Sequence, residues 1–252
     1  MNPTIIGLEV RRQFREYIGL FFIVVLPAFF FIIFAVAMDF GNAQMGNGNQ
    51  KMYSMVSMAA YGAVVATASI GSQAAVERMQ GWGRQIGITP LPDSSYVGAK
   101  TIVSVAITIL PIGLIYLLGI LTGAAGTAAA WALTALLSIA GAVMFALWGL
   151  VWGLAIRSEA ATAVAGASTV VLAFLGNLFI PLSGTLLSIA KFTPLYGYAA
   201  LARYPITDGW LPQINGEMVH EPLWIPLLNV ASWTLALAII AVLLVRRSRG
   251  RQ

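Results

Sequence analysis

The chain has 252 residues, of which 59% are hydrophobic and only 9% charged. A soluble domain carries roughly a quarter of its residues as charged, so the composition excludes an ordinary water-solvated globule and points to lipid as the solvent. The net charge of +5 sits at the edges of apolar runs, which argues against nucleic acid; with no cysteine and the single His220, zinc chemistry is excluded as well.

Residues 1–18 come first as a short amphipathic segment. Asn2 caps and Pro3 opens a helix in which Ile6, Val10, Phe14 and Tyr17 share one face. Glu9, Arg12, Arg15 and Glu16 turn away from it, as expected of a helix lying in the membrane interface. The apolar run that begins near Gly19 is too long for the core of a signal peptide. Runs of about 20 apolar residues suffice to cross a bilayer, and spans are expected at 19–38, 52–74, 101–121, 129–156, 161–181 and 223–245. Thr101 to Ile156 contains no charged residue, and its break is the Gly/Ala/Thr run 121–127, a tight turn.

An even number of spans puts both termini on one side. That side receives Arg11, Arg12, Arg15, Arg78, Arg84, Lys100, Arg157, Arg246, Arg247, Arg249 and Arg251. The other side receives only Lys51, Lys191 and Arg203. The imbalance predicts that both termini and the 75–100 loop of a multi-pass membrane protein face the cytoplasm.

The 75–100 loop reads Glu77-Arg78-Met79-Gln80-Gly81-Trp82-Gly83-Arg84-Gln85-Ile86, followed by Thr89-Pro90-Leu91-Pro92, Tyr96 and Lys100. Val76, Met79, Trp82 and Ile86 fall on one helical face, and the residue before Pro90 ends that helix. An apolar face of this kind rests on lipid or in a partner's groove.

In the fourth span Gly149 and Gly153 form a GxxxG, read as packing within the chain. Asn177 is a polar residue inside the fifth span, beside Phe174, Gly176 and Phe179. Tyr53, Ser57, Tyr61 and Thr67 line one stretch of the second span. Between spans five and six, residues 182–222 carry Leu182, Leu186, Ile189, Phe192 and Tyr196, more apolar than a surface loop. Such backbone is tolerated at membrane depth only where protein buries it, and short re-entrant helices are expected here.

The string Glu77-Arg78, Gly81-Trp82, Arg84-Gln85, Thr89-Pro90-Leu91, Tyr96 and Lys100 resembles the first cytoplasmic loop of ABC-2 type permeases, most nearly their drug-export branch. The order of features is similar along almost the whole chain. Gly83 and Gly87 stand where that family more often has larger apolar residues, which weakens the helix. The resemblance implies an all-α membrane protein of the ABC-2, or type V exporter, fold: six transmembrane helices, an N-terminal interfacial helix, a cytoplasmic coupling helix and short re-entrant outer helices. It implies that Glu77, Arg78, Trp82, Arg84, Gln85 and Ile86 couple to an ATPase subunit. It further implies a substrate path between the second and fifth spans of two protomers, which Tyr53, Ser57, Tyr61, Phe174 and Asn177 would line.

The energy source is read from absences. The lysines are Lys51, Lys100 and Lys191; none follows a glycine, so the chain has no Gly-Lys-Ser/Thr phosphate loop. No charged residue lies deep in an expected span, which disfavours coupling to protons or sodium. ATP and Mg would therefore be bound by a separate soluble P-loop ATPase, present in two copies. A second permease protomer, identical or a paralogue, would complete the assembly. The expected function is export of a hydrophobic or amphipathic small molecule such as a drug or antibiotic. A lipid-linked polysaccharide or a sodium ion is the alternative cargo, and an intramembrane enzyme the remote one.

Overall fold

The computed structural model describes residues 3–37, 39–77, 93–156, 158, 160–214 and 216–249. Its elements are almost all helical: α1 (Pro3–Arg15), α2 (Tyr17–Val36), α3 (Gln50–Glu77), α4 (Asp93–Thr122), α5 (Ala128–Ile156), α6 (Ala160–Leu175), α7 (Gly184–Ala190), α8 (Pro194–Thr207) and α9 (Trp224–Arg249). Two short antiparallel hairpins complete them, β1–β2 (Gln44–Met45 with Gly48–Asn49) and β3–β4 (Trp210–Pro212 with Met218–His220). The protein is an all-α membrane protein, and α2, α3, α4, α5 and α9 are each long and apolar enough to span a bilayer.

The central helix is α3, buried along nearly its whole length. Small residues make that burial possible, because α3 and α5 approach until backbone meets backbone. A Cβ on Gly149 would collide with the Ala68 carbonyl, and one on Gly71 with the Ala146 carbonyl. At Gly153 it would lie 2.7 Å from the carbonyl oxygen of Ser72. The GxxxG of α5 is thus a contact surface for α3 within the chain, as its small residues predict. On the other flank Gly62 admits the ring of Pro111 from α4, where an added Cβ would be 2.7 Å away.

In α2 the helix passes through two π-helical stretches, Phe21–Val25 and Ile32–Val36. Pro27 follows the first of them; its ring and missing N–H disturb a regular helix, and a widened turn accommodates both.

Three elements differ from the sequence expectation. First, α4 begins at Asp93, so Lys100 belongs to a helix rather than to the loop. Second, α6 is only 16 residues, about 24 Å long. It ends at Leu175 instead of running to 181, because Asn177 adopts the left-handed conformation (φ 58°). The Leu178 N–H then bonds back to the Ala173 carbonyl at 3.1 Å, the signature of a Schellman stop. Third, α1 does not hold all its charges away from the bundle: Glu9 and Arg12 reach ion partners on α3 and α4.

Residues 182–222 contain α7 and α8, in keeping with the expected short helices. Thr193 caps α8, its Oγ1 accepting from the Tyr196 N–H at 3.4 Å, and Pro194 occupies the first turn. The whole face from Pro194 to Arg203 is buried among α3, α5 and α9. Tyr198 inserts its ring over Gly141 and donates its hydroxyl to the Ser138 carbonyl at 2.7 Å. From α9, Asn229 Nδ2 donates to the Lys191 and Thr193 carbonyls at 2.8 and 3.2 Å, closing the α7–α8 corner.

Candidate functional site

Where α6 stops, the broken backbone of 176–183 faces the first turns of α3 and leaves a cavity of about 400 Å³. Its polar wall is Gln50, Tyr53, Ser54 and Ser57 from α3, Asn177, and Arg203 from α8. Its apolar wall includes Phe34, Met58, Leu178 and Phe179. A mostly apolar cavity with a few convergent polar groups is the usual form of a small-molecule site.

Arg203 is the residue that sequence reasoning missed. It is 1% exposed, the largest fully buried side chain among the described residues. Its Nη1 donates to the Tyr53 hydroxyl at 2.6 Å and to the Asn177 carbonyl at 3.0 Å, and its Nε to the Ala199 carbonyl at 3.0 Å. The guanidinium carbon lies 4.7 Å from the centre of the Tyr53 ring, a cation–π contact. Nη2 has no hydrogen-bond partner, and neither has Asn177 Nδ2. Asn177 is therefore more than a polar group inside a span. It terminates α6, its Oδ1 accepts from the Leu182 N–H at 2.8 Å, and its carbonyl holds the arginine.

Of the expected path residues, Tyr53, Ser57 and Asn177 lie in the cavity wall. Tyr61 stands behind it, its ring 4.9 Å from that of Phe179, and Phe174 packs on the same Phe179 from the exposed outside of α6 at 5.0 Å. Thr67 turns its hydroxyl onto its own helix, donating to the Ala63 carbonyl.

Beside the cavity, Glu221 is 3% exposed and engaged on both sides. Lys191 Nζ sits 3.2 Å from its Oε1, and the Tyr196 hydroxyl donates to Oε2 at 2.6 Å. Burial first, then the bond to Glu221 and its negative charge, hold the Tyr196 phenol well above its ordinary range. It remains a neutral donor.

At the opposite end of α3 lies a second cluster. Glu77 Oε2 meets Lys100 Nζ at 2.8 Å, and Glu77 Oε1 meets Arg12 Nη1 at 2.6 Å. Lys100 Nζ also meets Glu9 Oε2 at 2.8 Å. Gln13 Nε2 donates to Gln73 Oε1 at 2.9 Å, beside the ion pairs. Charges from α1, α3 and α4 alternate here, and Glu16 adds a carboxylate oxygen 4.0 Å from Arg12 Nε. The cluster fixes α1 across the two helix ends that flank residues 78–92. Among the expected coupling residues, Glu77 is therefore turned inward, whereas Arg78, Trp82, Arg84, Gln85 and Ile86 lie outside the described residues.

No family model matches the chain. It is 26% identical over 197 residues to a protein of Bacillus subtilis (strain 168) named "Putative transport permease YvfS", a match that covers 76% of this chain and 80% of that one. The similarity is to a transport permease. Together with the apolar helices it supports a multi-pass membrane transport subunit, and the buried, mixed-polarity cavity is the kind of site such a protein requires.

Proposed function

We propose that the chain is the transmembrane permease subunit of an ATP-binding cassette exporter, moving a hydrophobic or amphipathic small molecule out of the cell with energy from a separate ATPase. The observation that carries this reading is the cavity at the break after α6. It gathers Tyr53 and Ser57 from α3 and Asn177 from the break after α6, and presents an apolar wall behind them. The match to a permease supports the transport role, and the resemblance of the 77–100 loop to ABC-2 permeases supports the class. ATP enters through the partner because the sequence offers no phosphate-binding Gly-Lys.

In this reading residues 78–86 seat on the ATPase, with Glu77 anchoring them to the bundle, and ATP-driven closure of the ATPase pair moves the ends of α3 and α4. The Glu9–Lys100–Glu77–Arg12 cluster makes α1 move with them. A nucleotide shifts such an equilibrium only by its different affinity for the two states. Drug or antibiotic cargo is favoured over a sodium ion because the described residues of the cavity wall include no carboxylate to hold a hard cation. The test is to co-express the chain with a soluble P-loop ATPase that co-purifies with it and reconstitute the complex. Substitution of both Trp82 and Arg84 by Ala should abolish ATP-driven export while leaving membrane insertion and thermal stability intact. Unimpaired export by that variant would overturn the docking assignment.

A further inference from the structure

We infer that Arg203 and Asn177 together form a receptor for an oxyanion, so that the cavity selects amphiphiles carrying a carboxylate, sulfonate or phosphate head. The inference rests on the cavity being the cargo path and names the class of cargo.

Arg203 carries a buried charge that has no counter-ion among the described residues. Guanidinium carries five N–H donors and stays protonated in proteins. Three donors of Arg203 are used, by the Tyr53 hydroxyl and the Asn177 and Ala199 carbonyls; the two on Nη2 have no partner. All three acceptors are neutral. Among the described residues no carboxylate lies within ion-pair distance of Arg203, and the buried acid nearby, Glu221, is taken by Lys191 and Tyr196. A buried charge left unpaired costs several kcal/mol, and an ionisable group at such a place marks a functional site.

The second observation is independent. Asn177 Nδ2 is also buried and without a partner, and its residue lines the same cavity. The amide cannot simply flip to hide this donor, because Oδ1 is held by the Leu182 N–H at 2.8 Å. Among the described residues, the cavity wall thus contains a fixed positive charge and a neutral donor, both unsatisfied, and no carboxylate. A cation would be repelled there, and a purely apolar molecule would leave the donors unpaired. An oxyanion satisfies both, through charge-assisted bonds to the guanidinium. The apolar wall, with Phe34, Met58 and Phe179, then takes the body of a drug-sized molecule.

The probes are a matched pair, anilinonaphthalene sulfonate and N-phenylnaphthylamine, which share an aromatic body and differ in the sulfonate. Their saturable fluorescence is titrated on the full chain in phosphatidylcholine nanodiscs, with empty nanodiscs subtracted. The wild-type chain should bind the sulfonate at least tenfold more tightly than the amine. Arg203→Gln should lose at least tenfold for the sulfonate and change the amine by less than about twofold, the scale of a hydrogen bond to a charged group. Asn177→Asp guards against simple misfolding. It keeps the Leu182 acceptor and tolerates the left-handed backbone, yet supplies Arg203 with an internal counter-charge. It should reproduce the selective loss with an unchanged or raised Tm. Ser57→Phe, which fills the cavity, should abolish saturable binding of both probes.

If both probes bind equally to the wild type and to both Arg203→Gln and Asn177→Asp, yet vanish with Ser57→Phe, the oxyanion receptor is wrong and the cargo cavity survives. If Ser57→Phe changes neither probe, or neither probe binds saturably to the wild type, the cavity reading fails and the receptor falls with it.

Discussion

Replacing Glu77 by Gln tests the ionic cluster at the end of α3. In the wild type Lys100 and Arg12 meet Glu9 and Glu77, with Glu16 4.0 Å from Arg12 Nε. Removing the Glu77 carboxylate takes a partner from both cations in a place where the Lys100 and Glu77 side chains are each only 7% exposed. Breaking a buried pair by removing one partner costs about 3–5 kcal/mol. Two features reduce the figure here. Arg12 is 46% exposed, so water takes over most of its share. Lys100 keeps Glu9 as a second partner at 2.8 Å. A loss of about 2–3 kcal/mol is therefore expected, or several degrees in Tm for a chain of this length. Differential scanning fluorimetry in nanodiscs reads that shift. Because Glu77 and Lys100 act on each other directly, the double variant Glu77→Gln/Lys100→Gln should lose less than the sum of the single losses, by about 1–3 kcal/mol. Strictly additive losses, or a Glu77→Gln shift below one degree, would refute the clamp.

Other substitutions probe other parts of the account. Gly149→Leu should prevent α3 and α5 from closing on each other and cost at least 3 kcal/mol, read as loss of a monodisperse peak in detergent, because Ala68 backbone occupies the only space for the side chain. Asn177→Ala should destabilise by about 1–2 kcal/mol more than Asn177→Gly, since both lose the acceptor for the Leu182 N–H and only alanine is strained at φ 58°. Tyr196→Phe removes the donor to Glu221 Oε2 and should lower Tm by a few degrees, a shift that disappears in the Glu221→Leu background, where the hydroxyl has lost its acceptor. Tyr198→Phe leaves the Ser138 carbonyl without its hydroxyl donor and should cost about 1 kcal/mol, with the α8 ring still seated on Gly141.

What the sequence made legible follows from how local each signal is. Hydropathy places the spans because the solvent dictates their length, and Gly149 and Gly153 read correctly because small residues on one helix face have one main use. The end of α6 was also written locally. Gly176-Asn177 ahead of Pro181 is a helix-stop pattern, but in an apolar run the hydropathy continues past the point where the backbone turns. Arg203 was hidden for a different reason. Its partner Tyr53 is 150 residues away, and a lone arginine between two spans counts first as an orientation signal. The available clues were the Thr193-Pro194 helix start and the small residues of 197–202, which mark a helix made to be buried. Glu77 and Lys100 likewise look like two loop charges until α4 is seen to begin at Asp93 and α1 to supply Glu9 and Arg12.

The central claim is a permease that borrows its ATPase. Affinity purification of the tagged chain from gently solubilised host membranes, followed by mass spectrometry of what comes with it, tests that claim most directly. The account predicts a soluble P-loop ATPase in one-to-one ratio with the permease, lost when Trp82 and Arg84 are both replaced by Ala. A chain that purifies without any ATPase, or that keeps its ATPase in the double variant, would contradict it.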